Sequence, residues 1–157
     1  MPKITTFLWY DTQAEEAARY YTSIFKNAKI KTITHYTDVG PGPKGSVMTV
    51  AFELDGHDFV ALNGGPAFKF NEAISVALEC KNQEEIDYYW EKLSEGGEKV
   101  ECGWLKDKYG LFWQVMPKAM IEMLSDRDVK KVDRVMTAMM TMKKLDVAEL
   151  ERAYDGR

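Results

Sequence analysis

Gln114 lies in the run CGWLKDKYGLFWQVMP, Cys102 to Pro117. A strand over residues 111–116 would put Leu111, Trp113 and Val115 on one face and Phe112, Gln114 and Met116 on the other. An amide between two large apolar side chains can hold a ligand, stand where a carboxylate would bind a metal, or be a bystander. Few other residues carry chemistry. Glu79 is a candidate general base if desolvated, although a carboxylate near a strand end is ordinarily solvated. Cys102, near Trp104, is a candidate nucleophile only if a His, Lys or helix N-terminus lowers its pKa. No such partner is evident along the chain, so an inert thiol is favoured. His35 and His57 form no zinc-like grouping with Cys80 and Cys102, which excludes a structural zinc site.

Two similar segments must position these residues. ITTFLWYDTQAEEAARYYTSIF opens the chain, and AISVALECKNQEEIDYYWEKL begins at Ala73. Each has a β-prone run, a polar break, then Gln, Glu-Glu and Tyr-Tyr. Helical spacing follows: Ala17, Tyr20, Tyr21 and Ile24 in the first copy, Ile86, Tyr89, Trp90 and Leu93 in the second. Thr12 and Asn82 are the expected N-caps. Three β-prone segments come after each helix: 30–36, 47–54 and 58–63, then 99–104, 105–108 and 111–116. The turn signals between them are DVGPGPKGS, LDGH and KYG. The pattern reads strand–helix–strand–strand–strand, written twice, with the copies out of step by about one residue.

The section after Pro117 has helical spacing and no strand pattern. Helices are expected over 118–124, 128–142 and 147–154, with Asp126 and Asp146 as caps. The expected divisions are residues 1–64, 65–117 and 118–157. An apolar stripe of Val132, Val135, Met136, Met139 and Met140 is wider than a lone peripheral helix needs, which points to a homodimer interface; the alternative is that the extension folds back over its own module and hides the stripe within the monomer.

Composition narrows the functional classes. The chain has 157 residues, 45% of them hydrophobic and 29% charged, which excludes disorder and suits one compact unit or two small ones sharing a core. A net charge of −4, with no basic cluster interleaved with aromatics, offers nucleic acid no footprint. No apolar run reaches the ~18 residues of a membrane span. The opening MPKITTFLWYD has no signal-peptide pattern. With only two cysteines and no export signal, the expected location is the cytoplasm, with both thiols reduced.

Along residues 4–116 the chain resembles the vicinal oxygen chelate superfamily, whose members are built from duplicated βαβββ modules. The stretches FLWYDTQAEEAARYY, GSVMTVAFELDG, ALNGGPAFKFNEAIS, CGWLKDKYGLFWQV and RVMTAMMTMKKLD resemble its PhnB-like subgroup, which often carries a demethylubiquinone methyltransferase label. The resemblance implies an α+β fold: two glyoxalase-like modules forming a cupped, mixed sheet, plus C-terminal helices. Its metal-dependent members draw His and Glu ligands from the first and last strands of each module. The matching positions here are Thr6, about Ala61, Ser75 and Gln114. None is a His or a carboxylate, so no metal and no cofactor are expected. Gln114 then stands where a metal-binding carboxylate would be. The methyltransferase label finds no support in the sequence, because no Gly-rich turn follows a first parallel strand; DVGPGPKGS joins antiparallel strands.

Strand parity then assigns a ligand cavity to Thr6, Leu8, Phe59, Ala61, Asn63, Ser75, Ala77, Glu79, Phe112, Gln114 and Met116, with Trp104 nearby. The opposite face, including Phe7, Trp9, Val60, Leu62, Trp113 and Val115, is expected to pack on the helices. A mostly apolar cavity with a few convergent polar groups suits a small organic ligand. The alternative is an enzyme (lyase, isomerase or transferase) doing acid–base chemistry there through Glu79, Cys102 or a water. The junction NGGPAFKF is either a ligand-contacting loop or a corner, and the corner is favoured.

Overall fold

Alternation before each polar break and three-to-four-residue periodicity after it produce a strand followed by a helix, twice. The computed structural model describes residues 1–157 as two compact units, Met1–Phe70 and Asn71–Arg157. The first contains β1 (Thr6–Tyr10), α1 (Ala14–Ile24), β2 (Ala28–His35), β3 (Val47–Leu54) and β4 (His57–Asn63). Its sheet order is β1-β4-β3-β2, with β1 and β4 parallel and the other pairs antiparallel. Helix α1 turns Ala14, Ala17, Ala18, Tyr21 and Ile24 inward, and its three alanines allow close approach to the sheet. The Tyr10 hydroxyl donates to that of Tyr21 at 3.2 Å. The Tyr21 ring stacks on Phe52 at 6.1 Å, and Phe52 on Phe59 at 5.2 Å. Residues 65–70 belong with this unit because the Phe68 and Phe70 rings meet Trp9 and Tyr10 edge-on.

The N-terminus of α1 departs from expectation. Its N-cap is Gln13, not Thr12, and makes no side-chain cap bond. Asn63, at the end of β4, does the capping from a distance: its Oδ1 accepts the Ala14 N–H at 2.8 Å and its Nδ2 donates to the Val47 carbonyl at 3.1 Å. Asn63→Ala leaves the Ala14 N–H without its acceptor and is expected to cost about 1–2 kcal/mol, read as a lower urea midpoint with unchanged slope.

The second unit contains β5 (Val76–Cys80), α2 (Gln83–Ser94), β6 (Glu98–Lys99), β7 (Trp104–Lys106) and β8 (Phe112–Pro117), in sheet order β5-β8-β7-β6. Strands β5 and β8 are parallel; β6–β7 and β7–β8 are antiparallel. Asn82 caps α2 as expected, accepting from the Glu85 N–H at 3.0 Å. The strand expected over 99–104 is instead cut short. Cys102 and Gly103 adopt positive φ of 59° and 81°, and this left-handed pair reverses the chain between β6 and β7. The turn through Asp107 to Gly110 forms as read from KYG, with the Gly110 N–H donating to the Asp107 carbonyl at 2.9 Å.

Three helices complete this unit: α3 (Lys118–Leu124), α4 (Val129–Met139) and α5 (Val147–Asp155). Asp128 rather than Asp126 caps α4, and Asp146 caps α5. The apolar stripe of α4 is used mainly within the chain. Val135 is buried in a cluster with Met120, Leu145 and Leu150, and Met139 and Met142 pack against it. Of the stripe, Met136 and Met140 remain exposed. Helices bury their apolar face locally when a neighbour is in reach.

Candidate functional site

In each sheet one helix, α1 or α2, covers one face. In the second unit Leu105, Trp113, Val115 and Cys80 are buried, as are Ile86, Trp90 and Leu93 of α2. The other face carries exposed Ala77 and Glu79 and half-buried Trp104 and Gln114, while Met116 at its end packs against the cluster of the C-terminal helices. Register places Trp104 opposite Gln114 on β7 and Ala77 opposite it on β5. Ser75, just before β5, accepts a hydrogen bond on Oγ from Gln114 Nε2 at 2.9 Å. The structure thus puts Ser75 and Gln114 on the face opposite α2, the face they share by parity, and brings Trp104 beside Gln114. Phe112 shares their parity but is only 6% exposed, so it serves as floor and not as a contact.

In the first unit the facing is reversed. Leu8, Phe59 and Ala61 are buried on the side that α1 covers, with Tyr10 and Phe52. Thr6 shares that parity, and its Oγ1 lies 3.1 Å from His57 Nε2. Asn63 is occupied in capping α1. The helix-free face holds Phe7, Trp9, Val60 and Leu62, which parity had assigned to the helix side; Phe7 is 62% exposed.

One residue explains the reversal. Three residues separate β1 from α1 (Asp11–Gln13), but two separate β5 from α2 (Lys81–Asn82). Matching the copies through Gln, Glu-Glu and Tyr-Tyr aligns the helices and slips the strands by one position. A slip of one moves every side chain to the other face. By pairing, Thr6↔Phe59 in the first sheet corresponds to Val76↔Trp113 in the second. The first-sheet counterpart of Gln114 is therefore Val60, not Ala61.

The remaining candidates fall into place singly. Glu79 is exposed and lacks the desolvation a general base needs. Cys102 belongs to the left-handed turn, its N–H donating to the Met142 carbonyl at 2.8 Å. Burial pushes the Cys80 thiol up to about 12, which makes it a packing group. The NGG junction is a corner: the Trp9 indole N–H donates to the Gly65 carbonyl at 2.9 Å. A Cβ on Gly64 would come within 2.4 Å of the Trp9 ring. A groove of about 390 Å³ opens beside it, lined by Asp11, Glu15, Tyr36, Gly42, Asn63 and Gly64 among others. The sequence reading missed this groove, since it forms only when the 37–46 loop folds back and Tyr36 donates to the Asn63 carbonyl.

Comparison with known proteins identifies the assembly of elements. A family model described as 3-demethylubiquinone-9 3-methyltransferase matches residues 2–116. A PhnB protein from Bacillus cereus is 37% identical, with 73% of this chain covering 99% of that one at a TM-score of 0.66. The chain belongs to the PhnB-like 3-demethylubiquinone-9 3-methyltransferase family, within the vicinal oxygen chelate superfamily. Two more distant structures share the fold of this PhnB-like chain. One is a Pseudomonas aeruginosa protein (17% identity, 74% of this chain and 98% of that, TM-score 0.62). The other is the fosfomycin resistance protein FosX from Listeria monocytogenes (17%, 80% and 98%, TM-score 0.57). No curated protein matches the chain.

The residues of this PhnB-like chain fit neither a divalent ion nor the methyl donor that the family's description implies. A divalent ion would need imidazoles or carboxylates on the faces opposite α1 and α2. Phe7 and Val60 stand on the first and last strands of one sheet, Ala77 and Gln114 on those of the other. Neither pair, two hydrocarbon side chains in one sheet or a methyl and a neutral amide in the other, gives a transition ion an imidazole or carboxylate at these positions. No group of three or more His, Cys, Asp or Glu is arranged to hold a metal. A nucleoside-bearing methyl donor in the usual α/β fold needs a Gly-rich turn after a parallel strand. The turns after β1 and β5 are Asp-Thr-Gln and Lys-Asn, without a glycine.

Proposed function

We propose that this protein binds a small organic molecule, without a metal ion, on the face of its second sheet opposite α2. The observation that carries the reading is the Gln114 amide, held by Ser75 between Trp104 and Ala77 where a metal-dependent relative would need a charged ligand. An apolar surface with one oriented polar group suits a small ligand better than an ion. The expected result is that nickel, zinc or manganese leaves the melting temperature of dialysed, untagged protein unchanged. An ion specific for the native state would add about 2.7 kcal/mol at a hundredfold excess over its dissociation constant. A saturable rise in melting temperature with one ion per chain by elemental analysis would overturn metal independence. The binding itself is tested by protein isolated from cell extract: an organic molecule retained in native mass spectra, and lost on Gln114→Leu, is expected. Retention unaffected by that change would remove the site.

The reading includes a cytoplasmic homodimer. It is supported by exposed Val129 and Met136 on α4 and Met140 at its C-cap, and by the absence of any helix long and apolar enough to cross a membrane. Sedimentation equilibrium at micromolar concentration should give twice the chain mass of 18.0 kDa. The single-chain mass at every concentration would sink the dimer.

A further inference from the structure

We infer that the cross-strand row Trp104–Gln114–Ala77 is a subsite for a planar, neutral amide or lactam edge, which pairs one hydrogen-bond donor with one acceptor. The inference rests on the binding reading above and adds the ligand's chemistry. Gln114 spends its Nε2 on Ser75 Oγ at 2.9 Å, which leaves Oε1 as an acceptor with no protein donor. The indole N–H of Trp104 likewise has no protein acceptor. No side-chain nitrogen or oxygen that is buried lacks a partner, so both atoms reach solvent.

Trp104 and Gln114 are directly opposed in the register, and opposed residues of an antiparallel pair hold their Cβ atoms about 4.5–5.5 Å apart. One donor and one acceptor on directly opposed residues are the pair that the C=O and N–H of a primary amide or cis-lactam would answer. The other side of Gln114 is occupied by exposed Ala77, whose methyl leaves open the space a longer side chain would fill. Lys106 and Glu79 flank the row, one on each side. Their charges offset, which favours a neutral ligand. An ester of the same shape would leave Gln114 Oε1 facing an oxygen, and a desolvated acceptor without a donor is costly.

The probes are benzamide, methyl benzoate and toluene, titrated into nitrogen-15-labelled protein. The readout is the Trp104 indole N–H resonance, assigned by its loss in Trp104→Phe. Benzamide should move it saturably, with methyl benzoate about tenfold weaker, as the loss of one hydrogen bond implies. Gln114→Leu should erase the difference between the two, and Gln114→Glu should retain a preference for benzamide. Ser75→Ala should weaken benzamide more than toluene, because the amide then loses its fixed orientation. Methyl benzoate binding as tightly as benzamide would overturn the amide-edge inference while leaving small-molecule binding intact. Failure of all three probes to move any resonance on this face would overturn both. Thermal melts within a few degrees of the parent show that each variant remains folded.

Discussion

Asp107→Ala lowers the melting temperature by roughly 10 °C, the largest single loss expected from a polar residue in this chain. The Asp107 side chain is buried, yet every donor around it is matched. Its Oδ1 accepts the Tyr109 and Leu111 N–H groups at 2.8 and 3.1 Å, and its Oδ2 accepts the Trp113 indole N–H at 2.8 Å. Removing the carboxylate strands these donors in the turn that joins β7 to β8. Each buried donor left without a partner costs about 1–3 kcal/mol, and partial rehydration of the turn limits the sum to about 3–4 kcal/mol. Asp107→Asn should lose less, because one oxygen still serves the backbone, but its amide N–H groups then face the Trp113 N–H. Adding Trp113→Phe to Asp107→Asn relieves that opposition, so the two changes should be less than additive by denaturant titration. Strict additivity would mean that the Asp107–Trp113 bond contributes nothing of its own.

Leu145→Ala is expected to cost about 3 kcal/mol, against less than about 0.5 kcal/mol for Met140→Ala on a neighbouring turn of chain. Leu145 is 0% exposed and Met140 65%, but burial is only part of the difference. The segment around Leu145 is a strap across the second unit. Its neighbours Met142 and Lys143 accept the Cys102 and Gly103 N–H groups, each at 2.8 Å. Gln83 of α2 donates to the Leu145 carbonyl at 3.0 Å and accepts the Val147 N–H at 2.7 Å. A Cβ on Gly103 would come within 2.8 Å of the Leu145 side chain, so the two surfaces fit without slack. A cavity at Leu145 therefore loosens the sheet and α2 together with the C-terminal helices. Urea titrations followed by tryptophan fluorescence and by helical circular dichroism should shift by equal amounts. If the helical signal shifts alone, residues 118–157 are an appendage and the strap does not couple them to the sheet.

The amino-acid sequence by itself determined the order of elements, because periodicities of two and of three to four are local properties that side-chain chemistry writes directly. It also determined the caps at Asn82 and Asp146, the turn at Asp107–Gly110 and the duplicated pattern from which the family resemblance follows. It placed Ser75 and Gln114 on one face; that Trp104 stands opposite Gln114 came from the strand register. What it did not determine is which face of the first sheet the helix covers. That depends on the connection between β1 and α1, where one additional residue reverses the facing of Leu8, Phe59, Ala61 and Asn63. Sequence similarity between the copies is strongest in the helices, so the slip is invisible until the strands pair. The cap of α1 was hidden for a related reason, since Asn63 lies 49 positions from Ala14 and only the folded sheet brings it there. The destination of the methionine stripe was likewise tertiary. A helix's apolar width shows that something must cover it, but only packing decided that Leu145, Leu150 and Met120 lie close enough to do so.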